Sequence, residues 1–237
     1  MRWIVSFLFL VFFGVAPSHS SGSIVVMEIP NVTERDGSGL YDKVLARILN
    51  TSGLDVPVMY LPINRAIKDF ENGKYSCVYP IGLQGITSLG KPSETVNFFS
   101  YQLFSLHHSY STVEAVAAGN YSVNALDFDE TKRLAEQHGL DVDFYIASNN
   151  SLAKMLALRH TDFVFAISPD FPLAFEEMYG KSKLMPIGEP LDKTQDGFIC
   201  SEDEAGTKLL QHINIVLQEM DNQGELKQIF GPLYERR

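Results

Sequence analysis

Residues 142–180, VDFYIASNNSLAKMLALRHTDFVFAISPDFPLAFEEMYG, constrain the fold more than any other stretch. A β-rich run at 142–147 leads through a polar turn at 148–151 into a helical segment with Leu152, Met155 and Leu156 on one face. A second apolar run follows at 163–167. This is a strand, helix, strand unit of the kind that builds parallel sheets. Residues 58–82, VMYLPINRAIKDFENGKYSCVYPIG, repeat the layout, with 62–64 at the turn and Ile63, Ala66, Ile67 and Phe70 as the helical stripe. Two similar α/β halves are expected. Open parallel sheets bind ligands beyond the carboxyl ends of their strands, so residues 61–65 and 147–151 are expected to face each other across a cleft.

The start of the chain reads as an address. Arg2 supplies a positive end, residues 3–15 are apolar except for Ser6 and Gly14, and residues 16–20 are mostly small, Ser18 and Ser20 among them. That is the pattern of a secretory signal peptide, residues 1–20, with the processed chain starting near Ser21. The alternative is a membrane anchor, but the apolar run is shorter than the roughly 20 residues a span needs. No cysteine stands directly after the expected cleavage point, which argues against a lipid-anchored protein of the bacterial lipoprotein type. About 217 of the 237 residues remain, enough for one large domain or two lobes with real cores.

Lys and Arg number 19 against 29 acids, a formal charge of −10. Such a chain repels nucleic acid and anionic lipid, and no stretch of it is basic. Cys77 and Cys200 both sit in β-like runs, YSCVY and GFICS. In an oxidising compartment they form either one disulfide or two separately buried thiols, and neither has metal-type CxxC spacing.

Taken in order, residues 23–29 read as a buried strand and 56–60 as a second. Between them Leu40, Val44, Leu45, Ile48 and Leu49 recur at helical spacing, with Ser38 as the candidate N-cap. A helix start just after the first strand either caps itself or offers N–H groups to an anion. Residues 63–72 form the next helix and 76–81 the third strand. Arg65 falls in the first turn of that helix, where the dipole favours acids, so it is either a surface residue or an anion contact. Residues 82–97 read as a loop, and 98–106 as an aromatic strand suited to crossing between halves. His107 and His108 follow it, and adjacent strand residues point to opposite faces, so no shared metal is expected. Residues 112–118 are a short helix or strand, 122–126 a strand and 129–138 a helix closed by Gly139. Residues 183–189 and 197–200 read as two short returning strands. Leu209, Leu210, Ile213, Val216, Leu217 and Met220 form a helical core stripe, and 226–230 a last turn or two.

Several local strings, in this order, resemble the bacterial extracellular solute-binding proteins of the amino-acid type, the class II periplasmic binding proteins. GLYDKVLARIL is similar to that family's first helix, FENGKYSCVYPIG to its G-K-Y and third strand, VNFFSYQL to the end of its first lobe, and LLQHINIVLQEMDNQGELKQIFGPLY to its closing helix and aromatic end. The likeness runs over nearly all of the chain after the signal peptide. It implies an α/β fold of two lobes around a ligand cleft: residues 21–102 with 189–237 as lobe 1, and 103–188 as lobe 2. Two strand hinges near 100–106 and 187–193 join them. It also implies a periplasmic, non-catalytic monomer without cofactor, whose partners are a small-molecule solute and an inner-membrane ABC permease or sensor protein.

The departures from that family are informative. Its loop after the third strand carries T-x-x-R, the arginine holding a ligand carboxylate. Here Thr87 is followed by Ser88, Leu89 and Gly90, with Lys91 next to the gap. The family's ammonium-binding aspartate falls on Ile167, leaving Ser168 and Asp170 nearest. An ordinary α-amino acid would lose both charge partners, at a cost of several kcal/mol. The cleft is then expected to be lined by Glu28, Tyr60, Arg65, Tyr79, Tyr101, Asp127, Ser148, Asn149 and Ser168. Each tyrosine is either a ligand contact or a lobe-core residue. Asp127 either faces a cation or caps a helix, a role Asp129 could also fill. Two rivals stand beside binding. One is a small-molecule lyase or dehydratase on the same scaffold, with Glu28 and Asp170 as its acid and base. The other is a binding-like protein that has lost its ligand and serves as an interaction module. No G-x-S-x-G, HExxH or P-loop is present.

Overall fold

The computed structural model describes residues 22–52, 55–84, 89–107, 112–180 and 184–234. The signal-peptide reading, Thr87, Ser88 and His108 lie outside them. The chain opens with β1 (Ile24–Glu28), α1 (Asp42–Ser52), β2 (Val58–Pro62), α2 (Ile63–Glu71) and β3 (Cys77–Gly82). The two-residue β4 (Lys91–Pro92) precedes the long β5 (Asn97–Ser105). Next come α3 (Val113–Ala117), β6 (Val123–Leu126), α4 (Asp129–Gln137), β7 (Phe144–Ile146), α5 (Asn149–Ala157), β8 (Phe163–Ser168) and α6 (Asp170–Tyr179). The return is β9 (Met185–Cys200), then α7 (Glu204–Asn222) and α8 (Glu225–Phe230).

The strands form one sheet in the order β2-β1-β3-β9-β5-β8-β6-β7, with β4 on β9. The expected repeat is visible in it. β2, β1 and β3 are parallel, as are β7, β6 and β8, and the first strand of each trio lies in its middle. Each trio is flanked by one antiparallel strand, β9 beside β3 and β5 beside β8. β5 and β9 pair with each other and form the two-stranded seam that joins the halves. The central strand IVVME is buried over its first four residues, as a strand covered by helices on both faces must be.

Four apolar clusters divide between two lobes. In the first, α1, α7 and α8 cover one face of the trio with Val44, Ile48, Ile213, Val216 and Phe230, and Ala66 and Phe70 of α2 cover the other. In the second, α3 and α4 cover one face with Val113, Val116 and Leu134, and Leu152, Leu156, Phe171 and Phe175 of α5 and α6 cover the other. The seam strands serve both, since Tyr101, Leu103 and Ile187 belong to the second lobe's core and Phe198 and Cys200 to the first's. Cys77 and Cys200 stand opposite each other in the β3–β9 pair and are joined by a disulfide.

Three local expectations need correction. Residues 183–189 and 197–200 are not two short strands: β9 runs unbroken for 16 residues, because the polar stretch between them, LDKTQ, is carried on the seam and need not be buried on both faces. Ser38 does not cap α1. Its hydroxyl donates to Asp36, and the helix begins at Asp42, whose carboxylate accepts from the backbone N–H groups of Gly39 (3.0 Å) and Glu34 (2.7 Å). A Cβ at Gly39 would sit 2.5 Å from the Val32 carbonyl oxygen, so this closed loop requires glycine there. Residues 82–97 are not all loop, since Lys91 and Pro92 pair with Cys200 and Ile199. Residues 112–118 resolve as a helix, with Thr112 accepting from the Ala115 N–H.

Candidate functional site

Parallel strands deliver their carboxyl ends to one edge of each lobe, and several expected site residues are found there. Glu28 ends β1, Arg65 lies in the first turn of α2, Asp127 follows β6, Ser148 and Asn149 open α5, and Ser168 ends β8. The three charged ones meet counter-charges close by. Glu28 is bound by Arg35 at 3.1 Å, and Arg65 lies 3.6 Å from Asp69, which also binds Lys74 at 2.6 Å. Asp127 binds Lys132 at 2.6 Å. It does not cap α4, where the cap position is Phe128, and neither does Asp129, which lies inside the helix. Ser148 caps α5, accepting from the Ser151 N–H at 3.2 Å. Asn149 has an enclosed side-chain oxygen without a partner. Ser168 stands opposite Ser100 in the β5–β8 pair.

The tyrosines resolve toward packing. Tyr79 is fully buried, stacked on Phe198 with centroids 3.9 Å apart, and donates to the Tyr41 carbonyl at 3.1 Å. Tyr60 packs on the first lobe's core and donates to Asp42 at 2.8 Å. Tyr101 is buried in the second core, edge-on to Phe99. Burial raises all three phenols above their ordinary value, helped at Tyr60 by the Asp42 carboxylate.

The lobes meet where α6 lies against the first lobe. Leu173 packs on that lobe's core. A groove of about 320 Å³ runs beside it, with Asn31, Ser38, Leu40 and Lys43 on one wall and Leu173, Glu176 and Glu177 on the other. None of the nine residues expected from sequence lines it. The side-chain nitrogen of Asn31 is enclosed and has no acceptor. Lys43, Glu176 and Glu177 carry no ion pair among the described residues, so the two walls present opposite charges. A second cavity of about 310 Å³, between residues 94–98, Gln195, α7 and Tyr234, belongs to the seam and the first lobe alone.

Two acids outside the groove have raised carboxyl values. Asp196 on β9 is 3% exposed and accepts from the Tyr41 hydroxyl and from the Asn97 N–H at 3.0 Å. Burial pushes its carboxyl up to about 7; the Tyr41 and Asn97 hydrogen bonds pull down and the Asp170 charge pushes up. Asp170, the first residue of α6, is likewise pushed up to about 7 by burial, opposed by its own backbone N–H. Asp196 gave no sign of itself in sequence, because an acid within LDKTQDG reads as exposed loop. The groove residues were equally silent: Lys43, Glu176 and Glu177 sit on helix faces that look solvated. Among the described residues no group of three or more His, Cys, Asp or Glu is placed to hold a metal ion.

No family model and no curated protein sequence matches the chain. Solved structures do. The GluR0 ligand-binding core from Nostoc punctiforme, in complex with L-glutamate, superposes with a TM-score of 0.70 at 14% identity, covering 91% of this chain and 100% of that one. An ancestral cationic amino acid solute-binding protein gives 0.72 at 15%, covering 90% and 95%. A histidine kinase sensor domain with similarity to periplasmic binding proteins gives 0.67 at 13%, covering 91% and 96%. At these identities the likeness speaks for architecture, and it agrees with the paired trios and the two-stranded seam: the chain has the two-lobed α/β fold of the class II periplasmic binding proteins.

Proposed function

We propose that the protein is a periplasmic solute-binding protein that closes two lobes on a small organic molecule and presents it to an inner-membrane ABC permease. The observation that carries this reading is the groove built jointly by the loop before α1 and by α6, with unpaired Lys43 facing unpaired Glu176 and Glu177. A polar molecule with both acidic and basic groups suits such walls, and Asn31 supplies a further donor. The first 20 residues act as the export signal, and the lobes exchange chain at about residues 102–103 and 188–189, inside β5 and β9. Arg65, Ser148, Asn149 and Ser168 remain candidates for contacts deeper in the cleft, at the strand ends. Ion-paired Glu28 is a weak candidate for either ligand contact or catalytic base. A second reading, a receptor whose closed form is read by a membrane sensor, is favoured by the likeness to the histidine kinase sensor domain.

The test is native mass spectrometry of the protein gently purified from its secretory compartment, followed by thermal unfolding with the solute found. A solute at about 100 times its Kd should add about 2.7 kcal/mol of stability. That gain should fall in Lys43→Ala and in Glu176→Gln with Glu177→Gln. An empty protein, unmoved by amino acids, polyamines and organic acids, overturns the reading in favour of an interaction module.

A further inference from the structure

We propose that the cavity between the start of β5, Gln195 of β9, α7 and Tyr234 is a second ligand site, and that it takes a small amine cation with an apolar body. It shares no lining residue with the groove between the lobes. At about 310 Å³ it lies at the small end of the range of ligand pockets. Its floor is apolar, since Val96, Phe98 and Leu217 line it and are buried. Its rim is acidic: Glu94 is exposed and Asp221 half-buried, and no basic side chain is among the lining residues. Both walls belong to the first lobe and are tied to each other. Glu94 donates its N–H to Asn214 at 2.8 Å and accepts from the Gln218 amide at 3.0 Å, both on α7. Asn97 donates its side-chain N–H to the Leu233 carbonyl at 3.1 Å, and the Tyr234 hydroxyl donates to Asp221 at 3.1 Å. The space therefore keeps its shape whatever the angle between the lobes, and a preformed site loses little freedom when it is filled.

The lining selects the class of ligand. Among the described residues Glu94 forms no ion pair, and Gln218 engages only one of its carboxylate oxygens. The side chains of Thr95 and Gln195 make no hydrogen bond among the described residues and add two further acceptors. An anion would meet Glu94 and Asp221 and be repelled. A metal ion would find no third ligand, because no group of three or more His, Cys, Asp or Glu gathers among the described residues, and it would leave Phe98 and Leu217 uncovered. A neutral apolar molecule would cover them but give the free carboxylate oxygen of Glu94 nothing. An ammonium group on an apolar body does both: the head donates to Glu94 and to the Gln195 carbonyl oxygen, and the body displaces water from the floor. Lys193, two residues before Gln195 on β9, already lies over the Phe98 ring at 4.8 Å, so that ring is open to contact with a cation.

The inference does not rest on the solute-binding reading, and the experiment keeps the two apart. Isotope-labelled protein, dialysed free of solute, is titrated with phenylethylammonium and followed by amide NMR. Parallel titrations with phenylethanol and phenylacetate keep the body of the probe and remove or reverse its charge. The ammonium probe should move the signals of Thr95, Asn97, Gln195 and Gln218, which line the cavity. The alcohol and the acid should bind there at least about 10-fold more weakly, the worth of one charge-assisted hydrogen bond. Glu94→Gln should weaken the ammonium probe by about the same factor and leave the alcohol unchanged. Glu94 is exposed, so this variant keeps the fold, and Asp221→Asn should act in the same direction. Any response at Leu40 and Lys43 belongs to the groove and should not change in Glu94→Gln. Equal binding of the three probes overturns the assignment to a cation. Cavity signals unmoved at probe concentrations on the order of 10 mM overturn the site itself. Either result leaves solute binding in the groove untouched.

Discussion

Tyr41 donates its hydroxyl to the carboxylate of Asp196 across 155 residues of chain, tying the loop before α1 to the seam strand β9. Removing that donor in Tyr41→Phe keeps the ring against Tyr79 and Phe230 but leaves a buried carboxylate short of a partner. The expected loss is about 1–3 kcal/mol in denaturant unfolding. Because an ionised carboxylate suffers more than a neutral one, the loss should be larger at about pH 8 than at about pH 5.5.

The pair of raised carboxyls fixes the sign of the pH dependence. Folded Asp170 and Asp196 hold their protons up to about 7, whereas the unfolded chain releases them near 3.8. Between those values the native state binds more protons than the unfolded state, so these groups' contribution is full below about pH 4 and is lost as pH rises through about 7. Thermal melts should show stability falling between about pH 5.5 and pH 8, by on the order of 1–2 kcal/mol per carboxyl. Asp170→Asn should remove its share of the slope.

The disulfide closes a loop of 123 residues between the third strand and the end of the last one. Replacing both cysteines by serine should cost about 3–5 kcal/mol through the freedom regained by the unfolded chain. Denaturant titration of the double variant against the oxidised protein measures it.

Two neighbours on α6 should behave differently. Phe171 is fully buried in the second lobe's core, and Phe171→Ala should cost about 3–5 kcal/mol in denaturant unfolding. Leu173 packs against the first lobe's core, so Leu173→Ala should cost less in unfolding yet enlarge the radius of gyration measured by small-angle scattering, by loosening the contact between the lobes.

Much of this architecture was legible because each half is written in local periodicity. Ile63, Ala66 and Phe70, or Leu152 and Leu156, announce a buried helix face without help from distant residues. What escaped depends on partners far along the chain. The polar run 191–196 belongs to a strand only because β5 lies beside it, and Asp196 is buried only because Tyr41 arrives from the other end of the sequence. The same limit blurred the site. Arg65 with Asp69 at helical spacing was a readable surface pair, but Glu28 with Arg35 depends on how the loop after β1 folds back. The groove could not be read at all, since Lys43 and Glu176 become neighbours only when α6 crosses to the first lobe.

The unbroken β9 has a mechanical consequence. It hydrogen-bonds to β3 in one lobe and to β5, which in turn carries the other, and the β5–β9 register slips between Tyr101 and Leu103. Separating the lobes therefore breaks no strand; it winds or unwinds a two-stranded ribbon about its own axis at that slip. Backbone hydrogen bonds resist stretching far more than twisting, so the permitted motion is a rotation with a built-in restoring torque.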